Sequence, residues 1–149
     1  MDGIRIRQIS TDDAEYQDLL HFRNKILRVP LGQNLFDEDL SDDKEDYMLI
    51  TVEGNTIVGC VMLHPLAKGT LKLRQMAVAE HLQGKGVGRE LVAYAERLAV
   101  QAGYRRITLH ARRTAEGFYE GLGYNQTGEP FEEVGIPHIA MEKDFSEAL

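Results

Sequence analysis

The segment Gln83-Gly84-Lys85-Gly86-Val87-Gly88-Arg89 carries the clearest chemical signal in this chain. Three glycines in five residues turn the backbone sharply and leave its N–H groups uncovered by side chains. A helical pattern starts at the same place, so those N–H groups and the positive end of the helix dipole converge on one spot, which favours a phosphate. Lys85 and Arg89 add positive charge beside it. Spacing excludes two common phosphate loops. The P-loop string G-x-x-x-x-G-K-[ST] is absent. A dinucleotide fingerprint is spaced G-x-G-x-x-G, whereas these glycines run G-x-G-x-G, and the next strand ends His110-Ala111-Arg112-Arg113 without the acid a ribose needs.

A second group of residues could move protons. Tyr119 shares helical spacing with Ala115, Phe118 and Leu122, ahead of a stop at Gly123. Glu132, Glu133, His138 and His110 are the candidates for a general base, with Glu80 and His81 behind them. Cys60, between Gly59 and Val61 in a strand-like run, reads as a small buried residue with no placed histidine partner, and no nucleophilic role is assigned to it.

The elements that must position these residues follow from periodicity. Ile4 and Ile6 alternate with Arg5 and Arg7 as a short strand, and Thr11 with Asp12 and Asp13 can cap a helix reaching about Leu27. Pro30 and Gly32 break the chain, and the acidic stretch 37–46 reads as a loop with a short helix. Tyr47 to Glu53 and Thr56 to His64 form a hairpin about Gly54-Asn55, and Thr70 to Val78 is a third strand. Leu91, Tyr94, Ala95, Leu98 and Ala99 make one apolar stripe of a helix that Gly103 ends. Arg106 to Ala111 is a strand, Ala115 to Gly121 a short helix and His138 to Phe145 a final strand. Hairpins first and a strand–loop–helix–strand unit later indicate a mixed α+β domain.

Two motifs in this order resemble the GCN5-related N-acetyltransferase (GNAT) family. Gln83 to Gly88, after a strand ending Met76-Ala77-Val78, matches the family's [QR]-x-x-G-x-[GA] loop with an added glycine at 84. Ala115-Glu116-Gly117-Phe118-Tyr119-Glu120-Gly121-Leu122-Gly123-Tyr124 matches A-x-x-F-Y-x-x-L-G-[FY]. Residues 128–143 resemble a small bacterial subgroup with a G-[IV]-P-H-x-x-M ending, carried here by Gly135-Ile136-Pro137-His138 and Met141, and Arg23 to Gly32 fits the same subgroup. The resemblance extends over the whole chain as one domain, 1–149. It implies a GNAT fold: a central, mostly antiparallel mixed sheet of about six to seven strands, splayed at the cofactor site and flanked by about four helices.

The same resemblance implies direct acetyl transfer from acetyl-CoA, the cosubstrate, to a primary amine, with no metal. Gln83, Gly84, Lys85, Gly86, Val87, Gly88 and Arg89 would hold the pyrophosphate. Met76, Ala77 and Val78 would pair with the pantetheine arm, an N–H near Ala77 or Val78 would polarise the thioester carbonyl, and Phe118 would wall the arm or fill the core. Tyr119 matches the tyrosine that protonates the departing thiolate, a transfer uphill by ~2 kcal/mol from pKa values of about 10 and 8.5. A lysine-like amine is neutral only about once in a thousand at neutral pH, a cost of ~4 kcal/mol that calls for a base. Many relatives carry Asn where this chain has Arg112, so Arg112 either meets a cofactor phosphate or faces solvent. The alternative to an enzyme is a CoA-binding sensor on the same fold; a structural interaction protein has only the acidic flanks in its favour.

Composition bounds these readings. The 149 residues carry 24 acidic and 17 basic side chains, a formal charge of −7, with 43% hydrophobic residues, the balance of one soluble globular domain. No apolar run approaches the roughly 20 residues of a membrane helix. The opening MDGIRIRQIS lacks the apolar core of a secretory signal, and one cysteine forms no internal disulfide, so the expectation is cytoplasmic. Residues 1–50 balance at −6, residues 51–113 at +6 and residues 114–149 at −7. That argues against a nucleic-acid partner, which wants a broad basic face. It fits an anion held by the middle of the chain and a cationic amine bordered by the ends. A homodimer is common in the resembled family.

Overall fold

In the computed structural model, which describes residues 3–145, alternation and helical periodicity become eight strands and three α-helices. β1 (Ile4–Ile9) leads into α1 (Glu15–Leu27), and single 3-10 turns follow at Val29–Leu31, Leu35–Asp37 and Ser41–Glu45. Then come β2 (Tyr47–Glu53), β3 (Thr56–Pro65), β4 (Thr70–Val78), α2 (Val87–Gln101), β5 (Arg106–Arg112), α3 (Glu116–Gly121), β6 (Asn125–Gln126), β7 (Phe131–Glu133) and β8 (Ile136–Asp144). The two short strands β6 and β7 raise the count above the six or seven expected, and α-helices number three because the acidic stretch forms 3-10 turns instead.

The chain divides into two compact units. The first holds the residues up to His64 together with Gln75–Ala95. Within it β1 pairs with β2 antiparallel from Ile4↔Glu53 to Ile9↔Met48, and β2 pairs with β3 antiparallel, with a register shift between Thr51 and Val52. β4 follows β3 in the sheet order, and just past β4 the Ala79 N–H bonds to the Val58 carbonyl of β3. Its core joins Ile9, Leu19, Met48, Ile50, Cys60, Met62 and Ala77, with Tyr16, Phe22 and Ile26 of α1 packed against it. The helix cap differs from expectation. Ala14 is the cap residue and no side chain caps α1; Asp13 instead accepts the Ser10 N–H at 2.6 Å, closing the turn before the helix.

The second unit holds Pro65–Arg74 and the residues from Glu96 on. The first half of β4 pairs parallel with β5, from Thr70↔Arg106 to Leu73↔Leu109. β5 pairs antiparallel with β8 from Arg106↔Asp144 to Arg112↔His138, and β8 also pairs antiparallel with β6 and β7. Leu71, Leu73, Ile107, Leu109, Ile139 and Met141 are buried here, each on the alternating inward face of its strand. Among the described residues no helix is long and apolar enough to cross a membrane.

Candidate active site

The first unit supplies a strand end and a glycine loop. Within β4, Gln75 adopts φ +57°, a left-handed conformation that a non-glycine residue rarely takes inside a strand. Met76, Ala77 and Val78 follow it, and the Ala79 N–H then bonds to the Val58 carbonyl at 2.8 Å, which anchors the strand end to β3. After a 3-10 turn at Glu80–Leu82, Gln83 folds back, its side-chain amide donating to the Val78 carbonyl at 3.1 Å. Gln83 thus braces the loop against β4 with its side chain, a use its motif position did not foretell. Glu80 and His81 are exposed on that turn, His81 standing 3.3 Å from Glu53.

Gly84 and Gly86 take φ +77° and +89°, so the loop is built on two left-handed residues with open space around each Cα. The Glu90 N–H bonds to the Gly86 carbonyl at 3.1 Å, which sets the start of α2. The N–H groups of Val87, Gly88 and Arg89 lie in its first turn, where a helix offers them no intrahelical acceptor. Lys85 and Arg89 are exposed and Val87 is buried, so one apolar anchor and two solvent-facing cations flank a cluster of backbone donors. Buried Leu91, Val92, Ala95 and Ala99 hold the helix by the expected stripe, while Tyr94 and Leu98 are half-buried at its margin.

The second unit holds Tyr119 and the four candidate bases. Tyr119 on α3 is 6% exposed, with the rings of Phe118 and Tyr124 edge-on at 5.0 and 5.8 Å. Burial pushes its phenol well above the ordinary tyrosine range, so it stays protonated at every working pH. Phe118, at 40% exposure, is a surface ring and not a core residue. A polar brace fixes the helix end: Lys143 Nζ donates to the Leu122 carbonyl at 2.8 Å and to Glu96 at 3.1 Å, and the Tyr124 hydroxyl donates to Glu96 at 2.9 Å. Burial and the Glu96 carboxylate both push the Tyr124 phenol up. Nothing in the motif reading pointed to Lys143 or Glu96, which are 47 residues apart.

Three of the four candidate bases come together on β5, β7 and β8. His110 Nδ1 lies 2.9 Å from Glu133 Oε1, and His138 Nε2 lies 3.8 Å from Glu133 Oε2. His138 is buried, and its Nδ1–H donates to the Ile136 carbonyl at 2.7 Å, which leaves Nε2 facing the cluster. Phe131 stacks on His138 at 6.0 Å and meets His110 edge-on at 5.0 Å. Burial pushes the Glu133 carboxyl up, but the His110 hydrogen bond and the charges of His110, His138 and Lys72 outweigh it and hold the group below the usual glutamate range. Glu133 is therefore a carboxylate that orients His110, while the Ile136 carbonyl orients His138. Glu132 is exposed, opposite Pro137 in the register, and strand alternation turns it to the other face. Arg112 ends β5 opposite His138. Cys60 is buried, its thiol donating to the Gln75 carbonyl at 3.2 Å and pushed up to about 12 by burial, in keeping with an unreactive core residue. Among the described residues no group of His, Cys, Asp and Glu is arranged to hold a metal ion.

Comparison with known proteins gives one family and many relatives. The family model described as an acetyltransferase (GNAT) domain matches residues 10–145. The Bacillus subtilis protein YitI, named as an uncharacterized N-acetyltransferase, is 28% identical over 94% of this chain and 95% of its own length. A second Bacillus subtilis protein with an acetyltransferase name, BSU40680, is 36% identical over 80 residues. The chain spans about half the length of the first curated relatives it matches, 54% of that one and 52% of the uncharacterized protein YyaT. A solved Lactobacillus plantarum structure named as an N-acetyltransferase superposes with a TM-score of 0.87 at 24% identity, covering 97% of this chain and 99% of that one. A GNAT family acetyltransferase from Elizabethkingia anophelis, solved with acetyl-CoA bound, superposes at 0.70 with 20% identity over 97% and 99% of the chains.

Proposed function

The chain belongs to the acetyltransferase (GNAT) family, a family of acetyl-CoA-dependent N-acetyltransferases, and we propose that it moves the acetyl group of acetyl-CoA directly onto a primary amine. The observation that carries this is the head of α2, where the left-handed Gly84 and Gly86 present first-turn amides beside exposed Lys85 and Arg89. These residues hold the pyrophosphate, and their donors need no reorganisation when it arrives. The Met76–Val78 backbone takes the pantetheine arm as an added strand, and of the two amides expected to polarise the thioester carbonyl the Val78 N–H serves, since the Ala77 N–H is bonded to the Cys60 thiol. The acetyl-CoA-bound Elizabethkingia relative of the same fold supports the choice of cosubstrate.

Tyr119 serves as the acid. Its burial keeps the phenol neutral, the form that donates to the thiolate. The same burial raises the cost of full proton transfer above the ~2 kcal/mol expected from unperturbed groups. The amine's proton goes to His138 Nε2, the nitrogen that the Nδ1–H bond to Ile136 leaves as the acceptor in the neutral ring, and the Glu133 carboxylate 3.8 Å away balances the charge of the imidazolium that forms. Isothermal titration with acetyl-CoA, followed by thiol release across a panel of amines, tests the whole reading. Micromolar heat and turnover with at least one amine is the expected result. No heat refutes cofactor binding, and heat without release above background for any amine makes the chain a CoA sensor.

A further inference from the structure

The left-handed residue in β4 is gripped from α1, and we propose that Arg23 is a positioning residue that clamps Gln75 and thereby aims the backbone entering Met76–Val78. This rests on the reading above that those residues hold the pantetheine arm and thioester of acetyl-CoA. Arg23 is 1% exposed. Its Nη1 donates to Asp43 at 2.8 Å and its Nε donates to Gln75 Oε1 at 3.3 Å. Asp43, equally buried, also accepts the Tyr16 hydroxyl at 2.6 Å. A buried ion pair returns little net stability, because the desolvation of both charges offsets their attraction. What the arrangement does supply is geometry: Asp43 fixes the planar guanidinium, and the fork then directs its Nε at Gln75.

Gln75 needs that hold. At φ +57° it sits where an L side chain is strained, and such a conformation persists only when its surroundings over-determine it. Two contacts do so. Arg23 holds the side-chain amide, and the Cys60 thiol donates to the Gln75 carbonyl at 3.2 Å. Because the peptide is planar and trans, a carbonyl turned toward Cys60 on β3 directs the Met76 N–H away from β3. The clamp therefore sets the direction of the first amide of the segment assigned to the pantetheine arm, using a residue 52 positions away.

Gln75→Ala and Gln75→Gly test this while leaving the Arg23–Asp43 pair intact. Alanine keeps the strain and loses the grip; glycine takes the left-handed conformation freely. Gln75→Ala is expected to lower kcat about tenfold with the acetyl-CoA Kd changed less than about threefold, and Gln75→Gly to recover most of that loss. Amide exchange over 74–78 should quicken in Gln75→Ala and in Arg23→Lys, whose ammonium cannot span both partners. A merely structural Arg23 would lower Tm without changing kcat per folded molecule. The clamp is overturned if Gln75→Ala keeps kcat within about twofold of wild type, if glycine rescues nothing, or if exchange at 74–78 is unchanged in Arg23→Lys. Failure of the function assigned above shows separately, as absent acetyl-CoA heat in the wild type, while the exchange measurement still decides the clamp.

Discussion

Gly86→Ala isolates the conformational part of cofactor binding. Gly86 sits at φ +89° with nothing within 4 Å of the place a Cβ would occupy, so the methyl meets no steric obstacle in the free protein. The cost is the left-handed backbone itself, ~1–2 kcal/mol for an L residue. It must show in one of two places. If the free loop relaxes, the cost is met on binding, and at 1.4 kcal/mol per decade acetyl-CoA binds about 5- to 30-fold more weakly. If the loop keeps its shape, the cost falls on folding, and Tm drops by about 2–4 °C per kcal/mol for a chain of this size. Titration calorimetry and a thermal melt on one preparation measure both shares, which should sum to the same total. Gly86→Asn gives the check on cause, because asparagine tolerates this region and should lose less. Gly59→Ala is the contrasting control: its φ is not left-handed, but its Cβ would stand 3.2 Å from Leu91 Cδ1 and Thr51 Oγ1, so it should cost stability through packing with no separate loss in Kd. A Gly86→Ala variant with Kd within about twofold and Tm within about 1 °C of wild type would refute the left-handed penalty, which would then be nowhere.

Tyr119→Phe deletes one buried hydroxyl and keeps the ring packing, so kcat should fall by about 10²- to 10⁴-fold while Kd for acetyl-CoA stays put; an unchanged kcat would remove the acid role. Cys60, with its thiol pushed up to about 12, should resist a thiol-specific reagent at about pH 8 until the chain is unfolded, and rapid labelling of native protein would contradict its burial. Glu133 has a depressed pKa, so its contribution to stability is full above the ordinary glutamate pKa and disappears as pH falls through the folded value. Chemical melts of wild type and Glu133→Gln should therefore differ at about pH 6–7 and converge near about pH 3, with a difference that instead grows in acid counting against the His110–Glu133 pairing.

Local pattern made much of this fold legible. The hairpin strands Tyr47–Glu53 and Thr56–Pro65, the strand Thr70–Val78 and the helix behind the glycine loop lie where alternation and the apolar stripe place them, because each buries a continuous face. The signals that failed were short or non-local. Asn125–Gln126 and Phe131–Glu133 have two and three residues, too few for a period, and exist because β8 offers them an edge. Thr11–Asp13 has cap chemistry, yet Asp13 turns to Ser10 and the helix begins later without a side-chain cap. At the site, motif spacing located the glycine loop and Tyr119, while the separation of Glu133 from Glu132 needed β7's facing, which only pairing with β8 sets.

The segmental charge pattern shows what one-dimensional counting leaves out. The seven carboxylates between residues 37 and 46 suggest an open acidic surface awaiting a cation. Three of them are already engaged: Asp43 is buried on Arg23, Glu38 accepts from Arg28 at 2.6 Å, and Asp46 lies 2.6 Å from His64. Asp39 accepts the Ser41 N–H at 2.9 Å, which holds its carboxyl below the usual range and ties it to a turn. An engaged carboxylate presents a dipole, whose field dies away faster than that of a charge and is further screened beyond about 8 Å at physiological ionic strength. Part of the acidic first third therefore acts as internal structure, and Asp43 among it reaches β4 through Arg23 and Gln75. By contrast Lys85 and Arg89 of the basic middle stand exposed at the head of α2, where their charge adds to the helix dipole. The +6 middle thus puts two of its cations at an exposed helix head, whereas several carboxylates of the −6 start are tied to named partners within the fold.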